Sequence, residues 1–226
     1  MTAANDALFQ IPALIRAEGV TLAGAVAFPR DPVGVVLFAH ALRGGKFNPL
    51  DNYLARGLRK AGLATVRFDL LNEAEAADPT VAQDVHLMAR RILAATTTVE
   101  HLPECAGLPI GYLGATLGGA AALVAAGEAG RQVRAIVTRN TRIDLALDAL
   151  PRVTAPTLLV IRNVAAHLLE LTYQVLPRLG GDREIAIIPG VAPFLEEPRA
   201  LDQLGWLVTG WYGRYLAPSL RAGVGA

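Results

Sequence analysis

Gly114-Ala115-Thr116-Leu117-Gly118 is the stretch whose residue types and spacing bear most directly on chemistry. It follows the apolar run PIGYLG (109–114) and leads into the small-residue run ATLGGAAALVAAGEAG. Strand, sharp turn and helix are the setting of a nucleophile elbow, G-x-S-x-G, with threonine here in the serine position. The glycines have a steric reason, because bulk at either end of so tight a turn strikes the neighbouring strand or helix. The five-residue pattern is common in alanine- and glycine-rich chains, and its placement after a buried strand gives it weight.

A hydroxyl at the elbow needs a base, and the base needs an orienting acid. The four histidines, His40, His86, His101 and His167, are dispersed and show no metal-ligand spacing. His40 ends an apolar strand, as a structural histidine or as a ligand contact. His167 opens a predicted helix, facing solvent or turned toward Thr116. Arg43, Arg139, Arg142 and Arg162 fall at strand ends or loops on the carboxyl edge of the predicted sheet, where α/β folds bind ligands. They are either solvated loop charges or ligand contacts. Cys105, in PECAG, reads as a small buried residue rather than a catalytic thiol. Glu196 and Glu197 precede the last helix, where its dipole accounts for negative charge.

The elements that must position these residues alternate. Residues 8–30 read as two strands joined at Glu18-Gly19. GVVLFAH (34–40) is a valine-rich strand covered on both faces. Leu50, Tyr53, Leu54, Leu58 and Ala61 recur at helical spacing, with Gly62 as C-cap. ATVRFDL (64–70) is a strand, and a polar loop (72–79) leads to a helix over 81–99. Strands follow at 109–114, 133–139, 156–162 and 183–189, with helices after the elbow, at DLALDAL, at 166–179 and at 199–215. This rhythm predicts βαβ units in one α/β domain over 1–217, with a mostly parallel sheet and a frayed tail at 218–226.

Of the 226 residues, 53% are hydrophobic and 18% charged, which excludes disorder and supports a large core. A net charge of +1 gives no global pull toward nucleic acid or anionic membrane. One cysteine cannot make an intrachain disulfide, and MTAANDALFQ lacks the pattern of a signal peptide. The expectation is a cytoplasmic protein with no cofactor and no metal.

On GVVLFAH, YLARGLRKAGLATVRFDLL, GLPIGYLGATLGGAAALVAAG, VRAIVTR, ALPRVTAPTLLVI and PG followed by FLEEP, the chain resembles the dienelactone-hydrolase-like small α/β-hydrolases. That group includes hydrolase domains joined to phosphoribosyltransferases, and the similarity spans residues 12 to 217. The resemblance implies the α/β-hydrolase fold, with about seven or eight strands and helices on both faces. It also implies a Ser-Asp-His triad in that chain order. The serine position falls on Thr116, the aspartate on Ala165 and the histidine on Pro193; all three differ. The oxyanion-side motif reads His40-Ala41-Leu42-Arg43. Family members usually carry arginines where Arg139 and Arg142 lie, so the resemblance implies a scaffold role for those two and leaves Arg43 and Arg162 as the novel cations.

Alanine cannot orient an imidazole, proline cannot accept a proton, and a hydroxyl without a base stays protonated and weak. The departures gather around the implied pocket: 41–43, Thr116 and Leu117, Asn140 and Thr141, 162–167, and Pro193. The expectation is therefore a catalytically degenerate hydrolase fold whose cleft binds a small ligand, anionic in preference, or a protein partner. The candidate lining is His40, Ala41, Leu42, Arg43, Thr116, Leu117, Arg139, Arg162, His167 and Phe194. The alternative is an active hydrolase using a displaced Thr116–His167 mechanism. Partner expectations are a small molecule, with no nucleic acid and no membrane, and a protein partner or homo-oligomer left open.

Overall fold

The computed structural model describes residues 9–40, 48–162, 166–190 and 197–217. Strands β1 (Phe9–Ala17) and β2 (Val20–Phe28) form the expected hairpin, turning at Glu18 and Gly19, both at positive φ. Then come β3 (Gly34–His40), α1 (Pro49–Lys60), β4 (Leu63–Asp69), α2 (Glu73–Ala77), α3 (Val85–Glu100) and β5 (Ile110–Ala115). Helix α4 (Thr116–Ala129), β6 (Val133–Arg139), β7 (Thr157–Arg162), α5 (Ala166–Val175), β8 (Arg183–Ile188) and α6 (Pro198–Tyr215) complete the order.

The eight strands lie in the order β1-β2-β4-β3-β5-β6-β7-β8. The pairings β1–β2 and β2–β4 are antiparallel, and all those from β4 through β8 are parallel. A parallel run buried on both faces explains the continuous apolar strands GVVLFAH and TLLVIR. Alternation along each strand feeds two cores. Leu37, Ala39, Tyr112, Ile136 and Leu159 pack on the α3 and α4 side. Val36, Phe38, Leu113, Val137 and Val160 pack on the α1 and α6 side. This is the α/β-hydrolase architecture, with the chemistry-bearing residues on its carboxyl edge.

Three helical expectations change. The helix expected over 81–99 begins at Val85, because Asp84 accepts from the His86 and Leu87 amides and caps it there. The loop before it holds its own short helix, α2, started by a capping box between Asn72 and Glu75. DLALDAL forms two separate 3₁₀ turns, Ile143–Ala146 and Leu150–Arg152, with Pro151 inside the second. Helix 166–179 stops at Val175 and tightens into a 3₁₀ turn that contains Pro177. No helix among the described residues is long and apolar enough to cross a membrane.

Candidate functional site

The turn after β5 is a strained elbow. Thr116 has φ 50°, a left-handed conformation that costs a β-branched residue of order 1–3 kcal/mol. Its neighbours leave no alternative. A Cβ on Gly114 would stand 2.6 Å from the Gly118 carbonyl oxygen and 2.7 Å from Gly119 Cα, so strand and helix meet only through glycine. A Cβ on Gly119 would collide with Thr141 Oγ1, and Thr141 is buried. The result is an exposed Thr116 side chain on the first residue of α4, beside amides that have no intrahelical acceptor. Leu117 is half-buried against the α3–α4 core.

The flanking strands set what surrounds it. In register, Ala39 of β3 pairs with Gly114, and Arg139 of β6 pairs with Ala115. His40 and Arg139 therefore bracket the elbow from its two neighbouring strands. Both lie on the α1 face, where alternate positions Phe38 and Val137 also pack. Helix α1 supplies the acid that stands between them. Asn48 caps it by accepting from the Leu50 amide, which brings Asp51 into the first turn with only 3% of its side chain exposed. Asp51 Oδ2 stands 2.6 Å from His40 Nε2, and Oδ1 stands 3.8 Å from the Arg139 guanidinium. Burial pulls the Arg139 pKa down, and Asp51 partly restores it; Arg67 on β4 is affected in the same way. Arg67 also donates to Asn52, the neighbour of Asp51.

A second, partly buried pair lies one strand further along. Arg162, expected as a rim cation, has 7% of its side chain exposed and donates to Glu197 Oε2 at 3.2 Å. Gly190, at φ 130°, makes room for the pair, since a Cβ there would collide with Glu197 and crowd the guanidinium. The Arg162 amide donates to Asn140 Oδ1 at 3.0 Å, and Asn140 is itself left-handed at φ 45°. Arg142 forms an exposed pair with Asp144 instead of facing the elbow. His167 is exposed on α5, and no hydrogen bond joins it to Thr116. Cys105 is buried, with its thiol pushed up to about 11 by desolvation and by Glu104. Among the described residues, no group of three or more His, Cys, Asp or Glu could hold a metal ion.

Thr116, Leu117, His40, Arg139 and Arg162 thus occupy the carboxyl edge as the sequence placed them. Ala41, Leu42, Arg43, Ala165, Pro193 and Phe194 lie outside the described residues. Sequence reasoning missed Asp51 altogether and read Glu197 only as a companion of the α6 dipole. In both cases the visible signal, an acid at a helix start, is one the dipole already explains. The buried partner became evident only through the strand ends opposite.

No protein-family model matches the chain. Two curated relatives from Mycobacterium tuberculosis strains, each named "Putative phosphoribosyl transferase", are 37% identical over 193 residues, 85% of this chain. The chain spans 44% of their length. Among solved structures, Est1E from Butyrivibrio proteoclasticus superposes with TM-score 0.73 at 15% identity, covering 88% of this chain and 96% of its own. That likeness concerns the fold. The crystal structure of dienelactone hydrolase from Anabaena variabilis matches with TM-score 0.87 and 36% identity, covering 92% of this chain and 99% of that one. With that identity over nearly the whole of the hydrolase, this chain belongs to the dienelactone-hydrolase family of the α/β-hydrolase fold.

Proposed function

We propose that this chain is a catalytically degenerate member of its family, which uses the elbow cleft to bind a small ligand or partner instead of hydrolysing an ester. The observation that carries this reading is the state of the groups a hydroxyl nucleophile would need. Thr116 keeps the strained, exposed elbow conformation. Yet the sequence has alanine at position 165 and proline at 193, where the resemblance puts the family's acid and base. His40 is held against buried Asp51, and His167 faces solvent with no bond to Thr116. A hydroxyl with no base to take its proton is a hydrogen-bond donor and acceptor, not a nucleophile.

The ligand this cleft suits meets the Thr116 hydroxyl and the first amides of α4 with an acceptor group. The anionic preference expected from Arg43 and Arg162 at the rim loses Arg162, which Glu197 holds, and rests on Arg43 with the Thr116 hydroxyl and the α4 amides. The phosphoribosyl-transfer name of the curated relatives is assigned here to the part of those chains that this one does not span. Support comes from a dienelactone hydrolase covering 92% of the present chain.

A thermal-shift screen tests the binding reading. A native-state ligand at about one hundred times its dissociation constant stabilises by ~2.7 kcal/mol. Small carboxylates or phosphates raise the midpoint of the parent, and Arg43→Ala removes that response while Arg142→Ala keeps it. A screen in which no small carboxylate, phosphate or neutral ester shifts the midpoint contradicts ligand binding in this cleft.

A further inference from the structure

Five large apolar side chains are exposed among the described residues, and four of them gather at the two edges of the sheet. Phe9 and Leu14 belong to β1, Ile187 to β8, and Trp206 to α6 beside β8, while Tyr173 stands on α5. The two edges are not alike. Strand β1 carries Pro12 in its middle, which removes a backbone donor and blunts the edge against pairing. Strand β8, REIAII, has no proline and no lysine, and its two charges sit together at its first two residues. Among the described residues no strand lies beyond it, so alternate backbone groups on its outer side have no ladder partner.

Apolar surface is present on both faces of that open edge. Ala186 and Ile188 point to the α6 side and Ile185 to the other, which places Ile187, 41% exposed, opposite α6. On the α6 side Trp206 is 76% exposed and borders a groove of about 110 Å³, shared with Leu207, Trp211 and Glu184. Among the described residues the buried indole N–H of Trp211 has no acceptor. Glu184 and Arg214 stand 3.9 Å apart at the rim, each about half exposed. A patch holding one acid and one base beside an apolar centre is complementary to a copy of itself turned by 180°.

We propose that β8 pairs antiparallel with β8 of a second copy of this chain about a two-fold axis normal to the sheet. The sheet continues through the axis, and the α6 face of one copy runs on into that of the other. Trp206 and Ile187 are covered on their respective faces. Glu184 and Arg214 of each copy exchange partners across the axis. A second copy fits better than an unrelated strand because one isologous operation satisfies the edge, both apolar faces and the charge pair together.

Sedimentation velocity on the full chain tests this. The parent is expected to sediment at twice the 23.8 kDa of one chain. Ile187→Lys and Trp206→Glu, both at exposed positions, are each expected to give monomer with unchanged far-ultraviolet circular dichroism. Leu14→Lys on the opposite edge leaves the dimer intact. On the parent itself, hydrogen exchange of the β8 amides slows as protein concentration rises. A parent that stays at 23.8 kDa at every attainable concentration overturns the proposal. So does a dimer that survives both edge variants, one lost in Leu14→Lys, or β8 exchange that ignores concentration.

Discussion

His40 Nε2 and Asp51 Oδ2 stand 2.6 Å apart at the carboxyl edge of the sheet, joining the end of β3 to the first turn of α1 beneath the elbow. The Arg139 guanidinium stands on the carboxylate's other side, 3.8 Å from Oδ1. Asp51→Asn removes the negative charge but keeps the shape. It leaves the Arg139 and Arg67 cations without their buried counter-charge, although both retain further contacts. Breaking a buried pair from one side costs about 3–5 kcal/mol, and a loss toward the lower end of that range is expected here. Urea unfolding of parent and variant measures it, and a change within experimental error would contradict the pair's structural role.

Thr116 holds a left-handed backbone that glycine adopts at no steric cost. Thr116→Gly is therefore expected to raise stability by about 1 kcal/mol, after glycine's larger unfolded-state entropy is subtracted. A lower melting midpoint in Thr116→Gly would mean that the threonine side chain contributes more to folding than its conformation costs.

Glu75 links α2 to α3 through two hydrogen bonds from Arg91, at 2.7 and 2.6 Å, and Arg91 also donates to the Leu70 carbonyl. The Arg91 bonds hold the Glu75 carboxyl below its ordinary 4.5. A depressed carboxyl stabilises the fold above its unfolded value, and that contribution disappears as pH falls through the folded one. The parent should lose stability as pH drops below 4.5, and Glu75→Gln should show a shallower dependence over the same window. Parallel curves for the two proteins would contradict the assignment.

Much of this was legible in the sequence for definite reasons. The hairpin, the parallel strands and the glycine-flanked elbow followed from apolar runs and from turn chemistry, which act locally. The start of α3 was misplaced because Asp84 looks like one more polar position within the helix until it is seen to cap it. Asp51 and Glu197 were hidden for a different cause. Their partners, His40 and Arg162, lie on strands 11 and 35 residues away, and spacing carries no trace of such pairings. Arg162 was read as a rim charge because nothing local announces a buried arginine.

Cys105 tests the reading of the thiol as inert. It is buried, and its pKa is pushed up to about 11, so little thiolate exists at neutral pH. Ellman's reagent should leave the native protein unlabelled at pH 7 and react with one thiol per chain after denaturation. Rapid native labelling would show the site to be open.

The measurement that bears most directly on the proposed loss of catalysis is turnover of short-chain nitrophenyl esters by the parent, Thr116→Ser and the triple variant Thr116→Ser/Ala165→Asp/Pro193→His. Parent and single variant should both stay at the level of a non-enzymatic protein control, since on the proposed reading neither has a base or an orienting acid. Without its triad, an enzyme of this class retains only ~10³–10⁴-fold catalysis over water. The triple variant, with serine, acid and histidine at the family's positions, should rise well above that control. Robust turnover by the parent that Thr116→Ala abolishes would contradict the account, and its further loss in His167→Ala would identify the displaced base.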